Sequence, residues 1–140
     1  MTERDFAIKI AWGFLGQPYL WGGDDPIRGF DCSGLIVEIL KSVGKLPRKS
    51  DYTAAGLWDK FKSGVVDCPD EGNLVFWENA AGKIVHVEMC LNETLSIGAS
   101  GGGSKTNTLQ DAVHQNAYIK IRPIKSRSRI KGYIDVFEPF

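Results

Sequence analysis

Cys32, His86 and Glu88 are the side chains whose types and surroundings suit them to covalent chemistry. Cys32 ends a loop in the densest stretch of the chain, PYLWGGDDPIRGFDCSGLI (18–36), where five glycines or prolines lead into an apolar, helix-patterned run. Asp31 is the expected N-cap of that helix, which puts Cys32 in its first turn. There the unpaired backbone N–H groups and the positive helix end favour thiolate over thiol, the state in which cysteine attacks a carbonyl. The other account of such a cysteine is a small buried hydrophobe. Asp31 and Ser33 on either side make the position too polar for an ordinary core contact.

A thiol nucleophile needs a base, and the chain has two histidines. His86 lies in IVHVEMCL (84–91), where alternation puts Ile84, His86, Glu88 and Cys90 on one face and Val85, Val87, Met89 and Leu91 on the other. The wholly apolar face must be core. The opposite face suits a strand bordering a groove, where a neutral imidazole takes the thiol proton and returns it to a leaving amine. A histidine that merely stands on a strand's outer face is the alternative. His114, in QDAVHQN (110–116), reads as a solvated loop residue. Cysteine, histidine and glutamate are also zinc ligands, but no CxxC, HxxxH or HxH spacing occurs, so no metal is expected. Cys68, in the turn VDCPDEG (66–72), reads as incidental.

The elements that must position these residues fall into two halves. Phe6, Ile10 and Phe14 recur at intervals of four, with Thr2 and Asp5 spaced as a capping pair and Gly16 as a stop, so a first helix is expected over Thr2–Leu15. A second runs from the cap Asp31 to Gly44, and a third from Ser50 to about Phe61. Short apolar and alternating runs follow: Leu74–Trp77, Ile84–Leu91, Leu95–Ala99, Tyr118–Ile121 and Tyr133–Phe137 read as strands. Helices first and strands afterwards predict an α+β fold with N-terminal helices packed on an antiparallel sheet of about five strands. A chain of 140 residues, 43% of them hydrophobic, buries roughly 68–70% of its unfolded surface, enough for one core, so residues 1–140 are expected to form a single domain.

Seventeen basic residues balance seventeen acidic ones, so no overall field collects nucleic acid or anionic membrane, and no nucleic-acid partner is expected. Three cysteines are too few for a disulfide scaffold. Glu3, Arg4, Asp5 and Lys9 interrupt the N-terminus where a signal peptide would be apolar, and no run of about 18 apolar residues occurs. Synthesis in the cytoplasm without membrane insertion is therefore expected. Between Ala112 and Ile134 lie Lys120, Arg122, Lys125, Arg127, Arg129 and Lys131 with no acidic residue. In KSRSRIK four of them alternate, so an extended segment would show them along one edge. The segment is either a solvated loop and an edge strand kept from pairing by charge or a patch for anionic wall polymer or nucleic acid.

GQPYLWGG (16–23), GFDCSGLI (29–36), KLPRKS (45–50), AAG (54–56) and GNLVFW (72–77), followed by IVHVEMCL, form an ordered set. That set resembles the NlpC-type (NlpC and p-sixty) cysteine peptidases of bacterial cell walls, small papain-like hydrolases, from Gly16 to about Ala99. The resemblance implies a papain-like fold with Cys32 as nucleophile, His86 as base and the Tyr19 hydroxyl beside the oxyanion. It also implies hydrolysis of amide bonds in peptidoglycan stem peptides, often between D-glutamate and a diamino acid. Asp31, Ser33, Trp21 and Ser100 are the expected substrate-binding residues, and the chemistry requires no cofactor.

The chain departs from the family pattern. Twelve positions after the base, where the family usually has a polar residue that orients the imidazole, stands Gly98; two positions after it, where the family usually has glycine, stands Glu88. Asn73 and Thr53 replace a frequent aspartate and glutamine. Glu88 has three readings: a replacement orienter of His86, an anionic clamp for a substrate ammonium further along the groove, or a solvated carboxylate. Residues two apart on a strand are roughly 7 Å apart, so a direct bond to His86 needs inclined side chains. Ser96 and Ser100, on the face of Gly98, are the alternative source of an orienting hydroxyl. A binding module that has lost turnover, and an acyltransferase using the same thiol, are the rival functions. Delivery by a phage tail or a secretion machine is the expected route to the wall.

Overall fold

A computed structural model describes residues 1–25 and 29–137. Residues 26–28, within the loop expected ahead of Cys32, lie outside that description. Helix α1 spans Glu3–Gly13, and Thr2 and Asp5 form the expected reciprocal cap, each side chain accepting from the other's backbone N–H. Its fully buried residues are Ala7 and Ala11; of the expected stripe, Ile10 and Phe14 pack against the core, whereas Phe6 is half exposed. Small alanines let α1 lie close against α2 (Cys32–Ser42). Helix α3 covers Ala54–Phe61 and starts later than expected, because the Thr53 hydroxyl accepts from Gly56 N at 3.0 Å and fixes the cap there.

Two short strands, β1 (Asp24–Asp25) and β2 (Gly29–Phe30), pair as a hairpin inside what the sequence reads as a plain loop. The main sheet holds β3 (Val65–Val66), β4 (Leu74–Glu78), β5 (Ile84–Cys90), β6 (Leu95–Ser100), β7 (Tyr118–Pro123) and β8 (Ile130–Ile134), in the order β3-β8-β4-β5-β6-β7. Every neighbouring pair is antiparallel. The fold is thus α+β, with six strands where about five were expected. The extra strand is two-residue β3, too short to show alternation and held by pairing with β8. β8 stops at Ile134, short of the expected Phe137. Past it, Asp135 turns its carboxylate to the Arg4 guanidinium at 2.8 and 3.0 Å and ties the chain end to α1.

QDAVHQN is helical rather than a loop: α4 covers Leu109–Gln115. Thr108 and Asp111 form a second capping box, a cue present in the sequence and unread there. His114 lies in its last turn, exposed as expected of a solvated residue.

Both faces of the sheet are buried. Leu35, Ile36 and Leu40 of α2 pack with Phe76, Val87 and Met89 in the principal core. Each such side chain contributes about 1.5–3 kcal/mol when fully buried. On the reverse face Val75, Trp77 and Cys90 meet Ile124 from the β7–β8 connection. Residues 125–129 of KSRSRIK form the expected solvated loop, but the strand that follows, β8, is no free edge, since it pairs with β4 on one side and short β3 on the other. Ile124–Ser126 is a 3-10 turn with Ile124 buried, and Arg129 adopts a left-handed backbone at φ 69°, so the segment is not one extended strand. Ile124 has apolar surface to hide, and the reverse face of β4 and β5 offers the place to hide it.

Candidate active site

Asp31 builds the start of α2. One carboxylate oxygen accepts from Gly34 N at 2.7 Å, capping the helix, and the other from Gly22 N at 3.1 Å, tying the preceding turn to it. Burial raises the pKa of Asp31, and the Gly34 and Gly22 N–H groups oppose that rise. With its cap in place, Cys32 stands at the helix's first position, half-buried at the wall of a groove of about 510 Å³. β5 and β6 pair at Met89–Ile97 and Cys90–Ser96, and the groove lies beyond that pairing, between Ile84–His86 and Ala99–Gly103.

His86 is 5% exposed and lies beside the Trp77 ring on β4, centroid to centroid 5.2 Å. Its Nε2 is 2.7 Å from Glu88 Oε2. Cys32 lines the same groove, close enough for its thiol to help raise the His86 pKa. Burial works against the imidazolium, but the Cys32 and Glu88 hydrogen bonds and charges outweigh it and hold the His86 pKa up to about 9. The roughly 7 Å spacing of alternate strand residues is thus bridged by inclined side chains. Glu88 is itself 5% exposed, and its second oxygen, Oε1, accepts from Ser96 Oγ at 2.7 Å. Its carboxylate lies behind the imidazole and not in the groove, where an anionic clamp would have to stand.

The groove gathers Tyr19, Trp21, Asp31, Cys32, Ser33, His86 and Ser100, all named from sequence. Ser100 does not join the imidazole network; its Oγ accepts from the Arg122 guanidinium at 3.3 Å. Tyr19 is buried, and burial followed by the Cys32 and Asp31 charges pushes its phenol pKa up, so it stays a hydrogen-bond donor. Its ring packs on the backbone of Gly102, where a Cβ would come 2.6 Å from Tyr19 Cγ. The glycine run Gly101–Gly103 is therefore a wall of the site and not an idle linker.

Thr53, Lys83 and Arg127 also line the groove and were not assigned to the site from sequence. Arg127 is exposed, its Cζ 6.0 Å from the Trp77 ring centroid, and no carboxylate pairs with it among the described residues. No spacing signal could have found it, because the β7–β8 connection brings it in. Lys125 lines a different cavity, of about 630 Å³, together with the exposed Cys68. Cys90 is buried, and burial aided by the Glu88 charge pushes its thiol up to about 12, which leaves it inert.

A family comparison decides what this arrangement belongs to: the NlpC/P60 profile matches residues 16–123. The chain belongs to the NlpC/P60 family. Among its relatives, the probable peptidoglycan endopeptidase LytE of Bacillus subtilis is 29% identical over 112 residues, 80% of this chain and 32% of that protein. The gamma-D-glutamyl-L-lysine dipeptidyl-peptidase of Bacillus subtilis is 33% identical over 127 residues, 86% of this chain and 40% of that protein. The chain thus spans well under half the length of either relative. In fold it is similar to RipD of Mycobacterium tuberculosis, a non-catalytic NlpC/p60 domain protein adapted to peptidoglycan binding. The TM-score is 0.71 at 17% identity, over 97% of this chain and 98% of that one. NlpC/P60 membership agrees with the α+β architecture. No helix among the described residues is long and apolar enough to cross a membrane.

Proposed function

We propose that this NlpC/P60 chain is a cysteine peptidase that cleaves amide bonds in peptidoglycan stem peptides. The observation that carries the reading is the meeting in one groove of the Cys32 thiol, at the start of α2, and the His86 imidazole, whose Nε2 is held by a buried carboxylate. Cys32 Sγ attacks the carbonyl carbon while His86 holds the thiol proton. The oxyanion takes hydrogen bonds from the Cys32 backbone N–H and the Tyr19 hydroxyl. His86 then gives its proton to the leaving amine, and a water deprotonated by the same ring releases the acyl group.

The bond we assign is that between D-glutamate and a diamino acid, in keeping with the activity named for the dipeptidyl-peptidase relative. Digestion of purified peptidoglycan, with the released fragments weighed, tests this: each cut adds one water and frees the diamino acid's amine. Binding without release would instead favour a module of the kind RipD is named for. A joined product lacking that water would make the chain an acyltransferase. Delivery by a phage tail or secretion machine remains part of the proposal.

Two expectations follow for the groove. Tyr19→Phe removes one oxyanion donor and should lower kcat about 10²-fold with KM little changed, read on a soluble stem peptide. Arg127 stands where the free carboxylate of a γ-linked D-glutamate can reach it, so Arg127→Ala should raise KM about tenfold. Lys125→Ala should leave KM as it is, since Lys125 lines a different cavity.

A further inference from the structure

Glu88, Ser96 and Gly98 form one device behind the base. The β5–β6 register pairs Met89 with Ile97 and Cys90 with Ser96, and one step further along puts Gly98 opposite Glu88. A Cβ built on Gly98 would overlap the Glu88 side chain, coming within 2.7 Å of Cδ and meeting Cγ and Cβ as well. Gly98 has ordinary backbone torsions, so its lack of a side chain answers a need for space and not for a left-handed turn. Into that space Glu88 folds, accepting from His86 Nε2 and Ser96 Oγ, both at 2.7 Å.

The geometry points to Glu88 as the positioning residue of His86, held in register by the Ser96 hydroxyl and admitted by the missing side chain of Gly98. An ionised carboxylate only accepts, so it keeps one proton on Nε2, and the proton that the ring gains and loses is the one on Nδ1. In this device base and positioning residue come from one strand, and the neighbouring strand supplies the clearance and one hydroxyl. The role in turnover rests on the peptidase reading; the control of the imidazole does not.

The groups facing the pair are Cys32 and Tyr19 on the groove side, Cys90 on β5, and Arg122 and Arg127, which border the small cavity beside Glu88. None of them changes in the variants that follow. With two histidines in the chain, each imidazole can be followed by NMR, exposed His114 serving as the reference. Glu88→Gln keeps size and removes the charge, so the His86 titration should move to lower pH by about one unit or more while His114 stays put. Gly98→Ala, with Glu88 untouched, should move it the same way because the carboxylate is pushed off Nε2. If Gly98→Ala does not fold, Glu88→Gln decides alone.

In turnover, Glu88→Ala should lower kcat and kcat/KM together by about tenfold or more at unchanged KM. Glu88→Gln, which can still accept from Nε2–H, should fall between the alanine variant and the wild type. A His86 titration unmoved in Glu88→Gln overturns the assignment, whatever the protein hydrolyses. A moved titration in a protein that releases no fragments upholds the device and defeats the peptidase reading instead.

Discussion

Cys32→Ala is expected to abolish fragment release from peptidoglycan, a loss of about 10⁴-fold or more, with the fold intact. Cys32 is half-buried at the groove wall and contributes little to the core, whereas the cap that starts α2 comes from Asp31. The thermal midpoint should therefore stay within a few degrees of the wild type, as expected for a change of about 0.5 kcal/mol away from core and caps. Measuring both quantities on the same preparation separates a lost nucleophile from a lost structure. Unchanged release in the variant would end the cysteine-peptidase reading, because Cys68 is exposed elsewhere and Cys90 is buried and inert.

His86→Ala should cost about 10³-fold or more in kcat/KM, since one ring serves as proton acceptor, proton donor and activator of water. Its pH dependence carries a sign. The imidazolium is opposed by burial and supported by Cys32 and Glu88, which hold its proton up to about pH 9. Wild-type activity should therefore hold into mildly alkaline solution and fall as pH rises through about 9, where the proton meant for the leaving amine is lost. Taking away the Glu88 charge lowers the His86 pKa, so that upper limb should shift towards acid. In His86→Ala the thiolate loses its imidazolium partner, so alkylation of Cys32 by iodoacetamide should need higher pH than in the wild type. Persistence of the wild-type profile would remove His86 from the site and make His114 the candidate, despite its place on α4.

The candidate pair, Cys32 and His86, was legible because its cues are local. An N-cap aspartate, a helix-period apolar run and a strand-period run depend on residues a few positions apart, and backbone hydrogen bonding turns such patterns into elements with little help from elsewhere. The same reasoning reached the α+β class, and it missed α4 only because the Thr108–Asp111 box was not read. Val87 and Met89 lie in the core and His86 borders the groove, as the strand's alternation implies, but alternation could not show that Ile124 closes over Cys90 at the far end.

What the sequence by itself determined is the identity and local setting of Cys32 and His86, together with the class of chemistry they can perform. Tertiary structure alone decided that Glu88 stands behind His86 and not in the groove, that Ser96 and not Ser100 supports it, and that Arg127 joins the site. The reason is register. Which residue of β6 lies beside Glu88 is set by the β5–β6 pairing, and a slip of one residue would have put a side chain where Gly98 leaves room.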